Sequence, residues 1–498
     1  MRNLLKYPRQ FVVSTTPTQN LSHFKYHEIG QFHVYHCPTL ATNIAEKPSE
    51  NSFVILFGYT YKSDNVKISE NEILSGISEK NSLKEISSYV EGLSGRFALF
   101  VFHKGAGYVF NDPTGLRTVY FLRNGKRNIF GTQPLLLGEF VPLESGVRSE
   151  LFFHSQYFSN ADEYWLPAGL SLYDNVEQLI PNHYLDLNVG TQKRFWPVIQ
   201  NTVNGEEKTI NDLVLELKQS METAISRFEL ALPLTSGLDS RLLLSFLKKV
   251  KANVLYFTRI HKTHLNHGHS DIIIPKKILE SLGVEHHLIL ADKEVSISEE
   301  EWYKSNNSSS RFKDGVNLFS SKSYLLSEKY VLYGNLSEVV KIRKRDKTYT
   351  ELEHFDILPT EWLYISFIKE YMDEWLEDAK RIERDFNINC YELFYLEHRM
   401  GNWAARAYNE NDLLFEVFTP FNSRSILMKL LSIDINKRSL PEAWLHRRII
   451  CSFWPEIDVF PYNPRGWNLR LLSAFKRGLR LIGISYIVRV FNDFLKQN

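Results

Sequence analysis

The hydrophobic pattern of the chain changes character near residue 200. Up to that point, short apolar or alternating segments are separated by Gly, Asn and Asp residues, which predicts a β-rich region built from hairpins. The strand candidates there are 53–57, 96–102, 108–110, 118–121 and 128–130, with a turn at 105–107. Residues 201–208 are polar and show no periodicity. We therefore place a domain boundary there, between a domain of residues 1–200 and a domain of residues 209–498.

Beyond this boundary, apolar strands alternate with amphipathic helices. Strand candidates 230–234, 254–258 and 287–290 are separated by helix candidates, of which the one over about 271–282 ends at Gly283, a favourable C-cap. This order predicts a parallel sheet with right-handed crossovers, in which ligands bind at the carboxyl ends of the strands. The rest of the chain is predicted to be largely helical.

A further helix is predicted just after the boundary, with Asp212 as its cap. Its apolar face is formed by Leu213, Leu217, Met221, Ala224, Ile225 and Phe228.

The turn after the strand 230–234 has the composition of a phosphate-binding loop. It consists of Thr235, Ser236, Gly237, Leu238, Asp239 and Ser240. Small residues in its first half let the backbone approach a ligand closely. The N–H groups of the loop and of the following helix N-terminus then point at one place, which favours a phosphate or pyrophosphate group.

Composition narrows the class of protein. The chain has 498 residues, of which 43% are hydrophobic, enough for more than one sizeable core. With a formal net charge of +1, the protein has no strong overall positive field that would attract nucleic acid or acidic membranes. Cys37, Cys390 and Cys451 form no CxxC pair, which suits a reducing compartment. Neither an apolar leader nor an apolar run of membrane-spanning length is present, so we expect a cytoplasmic protein.

The turn at 235–240 resembles the Ser-Gly-Gly-x-Asp-Ser pyrophosphate loop of ATP pyrophosphatases, in the variant found in asparagine synthetases and their relatives. Thr235 stands for the first Ser and Ser236 for the first Gly, whereas Gly237, Asp239 and Ser240 match. Both replacements are small hydroxyl residues, so the resemblance implies a loop that still holds the phosphates of ATP.

A second segment resembles the other phosphate-side loop of that family, Ser-Gly-x-Gly-x-Asp-Glu. Gly334 matches its leading Gly, and Glu338 falls at the Asp that helps to hold magnesium, whereas Leu336 replaces a Gly and Val339 the second acid. The resemblance implies that Asp239 and Glu338 bind Mg²⁺ together with the phosphates, as suits a cation that prefers oxygen ligands.

Three further features depend on the same resemblance. The strand ending near Phe257 would border the adenine. Members of that family have a Lys in this part of the sequence that contacts the phosphates. Arg465 is the cation of this chain nearest to that position, and it would keep the charge of the Lys without its geometry. The basic run 341–347 is predicted to be a solvated surface, with room to bind an anionic substrate.

A histidine-rich loop follows the strand 254–258. Its members are His261, His264, His267 and His269. Their spacing could hold zinc, but no Cys or carboxylate joins them before Asp271, so a solvated loop over the nucleotide is the favoured interpretation.

The N-terminal domain resembles the glutaminase domain of asparagine synthetases. The resemblance rests on 95–98, 111–115, 120–121, 180–184 and 194–196, and it implies an αββα (Ntn) fold. Glutaminases of this fold use an N-terminal Cys as nucleophile, but position 2 is Arg2. Cys37 is interpreted as a buried packing residue. We therefore expect this domain not to hydrolyse glutamine.

Together these resemblances imply an ATP-dependent amide-forming ligase with ATP and Mg²⁺ as cofactors. A small-molecule or peptide carboxylate would be activated as acyl-AMP, and an amine would then displace AMP. The amine could be ammonia, as in asparagine biosynthesis, an amine of a second substrate, or an amine of the same molecule, as in β-lactam synthetases and lasso-peptide cyclases. The loop N–H groups and Mg²⁺ would stabilise the leaving pyrophosphate.

Two rival interpretations remain. A degenerate homologue would bind nucleotide or act as a scaffold without catalysis. A tRNA-thiolating or lysidine-type ATP pyrophosphatase is disfavoured by the β-rich first domain and the near-neutral charge. The near-neutral charge also argues against a nucleic-acid partner. The basic amphipathic segment 468–498 is predicted to be a helix packed on the body, with a membrane surface or a partner protein as the alternative.

Overall fold

Two antiparallel sheets form the N-terminal part of the chain. The computed structural model describes residues 5–122, 128–161, 163–199, 205–261, 265, 269–291, 296–307, 323–337, 358–438 and 443–464. The strands of the two sheets are β1 (Phe11–Ser14), β2 (Lys25–Ile29), β3 (Phe32–His36), β4 (Thr42–Lys47), β5 (Ser52–Tyr61), β6 (Ser94–His103), β7 (Ala106–Asn111), β8 (Tyr120–Leu122), β9 (Ile129–Gly131), β10 (Val176–Gln178), β11 (His183–Asp186) and β12 (Thr191–Arg194). The first sheet has the order β10-β8-β9-β1-β3-β2, and the second has the order β12-β11-β7-β6-β5-β4.

The two sheets pack face to face and are covered by helices on their outer sides. Side chains of both sheets form one apolar cluster, in which the rings of Phe11 and Phe57 stack with centroids 3.9 Å apart. The outer helices here are α1 (Glu70–Ser78), α2 (Leu83–Glu91) and α3 (Pro134–Gly138). The first two pack on the second sheet and the third on the first sheet. Because both faces of β5 and β6 are buried, their sequences are apolar almost throughout.

A parallel sheet forms the second part of the chain, as the sequence predicts. Its strands are β13 (Leu230–Pro233), β14 (Leu255–His261), β15 (His286–Ala291), β16 (Tyr330–Leu332) and β17 (Glu416–Phe418), in the order β15-β14-β13-β16-β17. All neighbouring strands are parallel. The chain builds one side of the sheet with β14 and β15 and then returns to the other side of β13. The strand order therefore reverses between β13 and β16.

Helices make up most of the remaining described residues. The helices after α3 are α4 (Val147–Phe153), α5 (Gln156–Asn160), α6 (Glu206–Arg227), α7 (Leu238–Ser245), α8 (Ser270–Leu282), α9 (Ile297–Asn306), α10 (Ser366–Phe386), α11 (Cys390–Phe394), a π-helix (Tyr395–Ala404), α12 (Ala405–Asn411), α13 (Arg424–Ser432), α14 (Ile435–Arg438) and α15 (Trp444–Phe453). The α/β class is confirmed, and Gly283 caps α8 in the left-handed conformation, as expected. In the described ranges, no helix is long and apolar enough to cross a membrane.

Two local predictions are corrected by the structure, and one strand was missed. Helix α6 begins at Glu206, so Asp212 lies inside it; two glutamates in its first turn favour the helix N-terminus there. The hairpin turn predicted at 105–107 is Lys104-Gly105, which both have positive φ, as a two-residue hairpin turn requires. Strand β17 was not predicted, because three residues are too short to show a period.

Buried ion pairs join the two parts of the chain. Arg96 of β6 donates to both carboxylate oxygens of Asp412, at 2.5 and 2.7 Å, and Arg117 donates to Glu416 at 2.8 Å. Arg96 also pairs with Glu416, and Arg117 with Asp412. All four side chains are at most 7% exposed. Because two cations face two anions, the charges of this group balance inside the protein.

Candidate functional site

The predicted phosphate-binding turn lies at the carboxyl end of β13, the central strand of the parallel sheet. Leu234 is buried and donates its N–H to the carbonyl of Phe257 at 2.8 Å. The backbone then turns at Thr235 and Ser236, and α7 begins at Leu238 with Gly237 as an extended N-cap residue. The predicted strand–turn–helix is thus confirmed, and Asp239 and Ser240 lie in the first helical turn.

Three consecutive N–H groups of this turn each donate to a side-chain oxygen. The N–H of Thr235 donates to Ser240 Oγ, and that of Gly237 to Thr235 Oγ1, both at 3.2 Å. The N–H of Ser236 donates to Asp271 Oδ1 at 2.8 Å, and Ser236 Oγ donates to the same oxygen at 2.6 Å. The loop therefore holds a set of oxygen acceptors around its amides. Phosphate oxygens would have to take the place of these acceptors.

Asp271 is a site residue whose contact with the loop was not predicted. It lies in the first turn of α8, the helix that follows β14, and β14 is the neighbour of β13 in the sheet. Its place near the carboxyl end of the adjacent strand was visible in the sequence. Its contact with Ser236 was not, because that contact joins residues 35 positions apart.

The second predicted loop meets the first at Asp239. Ser337 Oγ donates to Asp239 Oδ1 at 2.6 Å. A Cβ added to Gly334 would lie 2.8 Å from the Cβ of Asp239, so the close approach of the two loops requires glycine there. Leu336 has a φ of 75°, the left-handed conformation that glycine favours, at the position where the resembling family has a glycine. Both loops leave strands at the point where the strand order reverses, the usual ligand position in such sheets.

A buried histidine from α15 also lies beside Asp239. The Nε2 atom of His446 lies 3.5 Å from Asp239 Oδ1, and the side chain is 3% exposed. Neither of its ring nitrogens has a hydrogen-bond partner among the described residues. The position of this residue beside the carboxylate was not predicted.

The segment after α15 runs across the base of the phosphate loop. Arg241 donates to the carbonyls of Phe460, at 2.6 Å, and Pro461, at 3.0 Å, and its guanidinium lies 3.8 Å from the ring centroid of Tyr462. The N–H of Asn463 donates to Ser236 O at 3.1 Å. Burial, and then the neighbouring Asp458, raise the pKa of Tyr462, so the ring is neutral beside Arg241. These contacts fix the position of the loop backbone.

Phe257 lies beside the loop, but it is less available for contact with adenine than the resemblance implies. It is 3% exposed and sits inside β14, which continues to His261. Its carbonyl oxygen already accepts from Leu234, so a contact between this oxygen and adenine would have to share it. The adenine role of Phe257 stays a prediction.

Several predicted residues lie outside the described residues. These are Glu338, Arg465, His264, His267, the basic run 341–347 and the segment 468–498. His269 caps α8, its Nδ1 accepting from the N–H of Asp271 at 3.2 Å. In the part of the chain that the structure describes, no group of three or more His, Cys, Asp or Glu side chains could hold a metal ion.

The cysteine of the N-terminal domain is a packing residue, as expected. Cys37 is fully buried, and its Sγ lies 3.3 Å from Thr39 Oγ1. The residue that precedes β1 is Gln10, whose side-chain amide donates to the carbonyl of Asn306 at 3.3 Å.

Comparisons with known proteins give no assignment. No protein-family model and no curated protein matches the chain. Two solved structures are 10% identical to it, each covering 65% of this chain and 68% of the other at a TM-score of 0.25. They are glutamine phosphoribosylpyrophosphate amidotransferase from B. subtilis complexed with ADP and GMP, and a structure described as the allosteric regulatory enzyme of purine biosynthesis. Likeness at this level supports neither a fold family nor an activity for this chain.

Proposed function

We propose that the chain is an ATP-dependent carbon–nitrogen ligase of the asparagine synthetase type. The observation that carries the proposal is the meeting of two loops at Asp239. One loop presents backbone N–H groups and small hydroxyls, and the other contributes Ser337, with both at the reversal point of a parallel sheet. That combination suits a triphosphate and its counter-ion.

The residues present fit both proposed cofactors. Thr235, Ser236 and Gly237 would donate their N–H groups to phosphate oxygens, which would replace the side-chain oxygens that now accept from them. Asp239 and Ser337 supply oxygen atoms of the kind that Mg²⁺ prefers. Bound Mg²⁺ would neutralise charge that develops on the pyrophosphate. Glu338 and Arg465 stay part of the proposal on the strength of the family resemblance.

In the proposed reaction, a substrate carboxylate attacks the α-phosphorus of ATP. The bond between the α-phosphorus and the oxygen that bridges it to the β-phosphorus breaks. The products of this step are an acyl-AMP and pyrophosphate. An amine then attacks the acyl carbon and AMP leaves, which forms an amide. The loop amides act on the leaving pyrophosphate, where they stabilise charge in the transition state.

The N-terminal domain is proposed to hold the second domain in place rather than to release ammonia from glutamine. Arg2 stands where the nucleophilic Cys would be, and Cys37 is fully buried. The attacking amine is then free ammonia or an amine of a substrate, which leaves open intramolecular amidation as in lasso-peptide cyclases and β-lactam synthetases. A cytoplasmic location stays an expectation.

The proposal is tested by the products that the protein forms from ATP. The purified chain is incubated with MgATP, ammonium and a panel of amino acids and dicarboxylic acids, and AMP and pyrophosphate are quantified. We expect stoichiometric AMP and pyrophosphate with at least one acid. Asp239→Ala should abolish both products, while Asp385→Asn, on the exposed face of α10, should not change them. Product formation that survives Asp239→Ala contradicts the assignment.

A second candidate is a nucleotide-binding homologue without catalysis. The observation that favours it is the bond between Asp271 and Ser236, which places a carboxylate where a phosphate is expected. Binding of MgATP without AMP or pyrophosphate for any acid in the panel would select this candidate.

A further inference from the structure

The imidazole of His446 lies next to the carboxylate at which the two loops meet. His446 is in the first turn of α15, and its Nε2 atom is 3.5 Å from Asp239 Oδ1. The side chain of His446 is 3% exposed, whereas that of Asp239 is 27% exposed. The carboxylate is therefore partly open to solvent, and the imidazole beside it is not.

The packing of α15 on α7 fixes the position of this imidazole. Asp239 lies in the first turn of α7, and Phe246 ends that helix. The rings of Phe246 and of Phe453, at the end of α15, have centroids 4.5 Å apart. Because two packed helices carry the imidazole and the carboxylate, a small movement of either side chain is enough to bring them into contact.

The face of α15 that carries His446 is otherwise apolar. Its other members are Leu445, Ile449 and Ile450, each at most 1% exposed. Both ring nitrogens of His446 are buried, and neither has a hydrogen-bond partner among the described residues. A buried polar group without a partner costs free energy, which an apolar side chain at this position would avoid. Packing alone therefore gives no reason for a histidine here.

The distance between Nε2 of His446 and Oδ1 of Asp239 is slightly too long for a hydrogen bond. The same oxygen already accepts from Ser337 Oγ at 2.6 Å. N–H···O bonds are typically about 2.7–3.2 Å long, so a shift of about 0.5 Å would bring Nε2 into this range. A neutral imidazole with its proton on Nε2 would then donate to a charged acceptor, and hydrogen bonds of that kind are strong.

We propose that His446 is a positioning residue for Asp239: its Nε2–H donates to Oδ1 and holds the carboxylate in the orientation that binds Mg²⁺ with the phosphates. This role rests on the proposed function, because it takes Asp239 as a ligand of Mg²⁺. Groups that bind a metal are commonly held by such outer hydrogen bonds, and the loss of one typically weakens metal binding about 10–100-fold. The bond closes when the metal draws Asp239 into place, so it strengthens metal binding and does not stabilise the empty protein.

Opposite effects on stability and on metal binding are therefore expected when the imidazole is replaced. In the protein without ligand, His446→Leu removes a buried polar group that has no partner, so the melting temperature should rise by about 1 °C or more. In the complex, the same change removes the hydrogen bond to Asp239, so Mg²⁺ should contribute less to nucleotide binding. A side chain that acts only in packing would not give this combination.

The test measures the affinity of the full chain for α,β-methylene-ATP, an analogue that resists cleavage between the α- and β-phosphates, once with Mg²⁺ and once with EDTA. The ratio of the two affinities isolates the contribution of the metal. We expect His446→Leu to lower this ratio about tenfold or more and to leave the affinity in EDTA unchanged. Equal weakening under both conditions would show a displaced phosphate loop and would overturn the proposal.

Two further variants and a matched control test the need for a donor at Nε2. His446→Gln places an amide N–H near the position of Nε2 and should restore most of the ratio. His446→Asn, whose amide is one carbon shorter, should behave like His446→Leu. His398→Leu replaces an equally buried histidine in the π-helix and should leave the ratio unchanged.

The outcomes separate the positioning role from the proposed function. If the wild-type chain binds the analogue in a Mg²⁺-dependent manner and His446→Leu keeps the wild-type ratio, the positioning role is overturned while the ligase proposal stands. Equal ratios in His446→Gln and His446→Asn overturn it as well, because they show no need for a donor at Nε2. If Mg²⁺ adds nothing to binding by the wild-type chain, the proposed function fails and the positioning role fails with it.

Discussion

Arg96 carries much of the ionic contact between the two parts of the chain, and removing its charge should destabilise the protein strongly. In Arg96→Met, Asp412 and Glu416 each lose a guanidinium partner while they remain buried. Arg117 still faces both carboxylates, so one negative charge of the group is left without compensation. Breaking a buried pair by removing one partner typically costs about 3–5 kcal/mol.

The matched control is Lys248→Met, which removes an exposed pair with Glu456 at 3.1 Å. An exposed pair contributes about 0–1 kcal/mol. Urea unfolding followed by tryptophan fluorescence gives the midpoint for each variant. The double variant Arg96→Met with Asp412→Asn should regain part of the loss, because it restores the charge balance. If Arg96→Met unfolds at the same urea concentration as the control, the charge is not buried as described and the reasoning is refuted.

Three further predictions concern single side chains. Burial lowers the pKa of His398 to about 3. On acidification, His398 therefore binds a proton in the unfolded chain before it does in the folded protein, and the stability of the fold decreases as pH drops from about 6.5 towards 3. His398→Phe should reduce this loss, and melting temperatures that keep the wild-type pH dependence would contradict it. Gly334→Ala places a Cβ 2.8 Å from the Cβ of Asp239. This contact should lower the free energy of unfolding by about 1–3 kcal/mol in thermal unfolding and weaken MgATP binding. If neither quantity changes, the two loops do not approach each other as closely as described. Asp271→Asn removes a negative charge from the Ser236 amide and should tighten MgATP binding several-fold in a fluorescence titration, whereas weaker binding would show that the carboxylate helps the site.

The core of the site could be predicted from the sequence because its signals are local. The apolar run that becomes β13, the small residues after it and the apolar helix face predicted strand, turn and helix in the right order. Gly334 was singled out as the start of a second loop, and its close approach to Asp239 is a reason for glycine there. These features depend on a few neighbouring residues and on the rule that parallel strands end on one edge.

The missed features join residues that are distant in the chain. The contact of Asp271 with Ser236 and that of His446 with Asp239 depend on how helices pack on the sheet, which no local pattern specifies. The π-helix also escaped prediction, because its apolar spacing is close to that of an ordinary helix. The buried pairing of Arg96 with Asp412 was not predicted either, because it joins residues 316 positions apart.

The meeting of the two loops at Asp239 is most directly tested by equilibrium binding of MgATP. Wild-type chain, Asp239→Asn and the control Asp385→Asn are titrated with a non-hydrolysable ATP analogue, with and without Mg²⁺. We predict Mg²⁺-dependent binding to wild type and control, and at least tenfold weaker binding that no longer responds to Mg²⁺ in Asp239→Asn. Equal, Mg²⁺-dependent affinity in all three proteins would contradict the account.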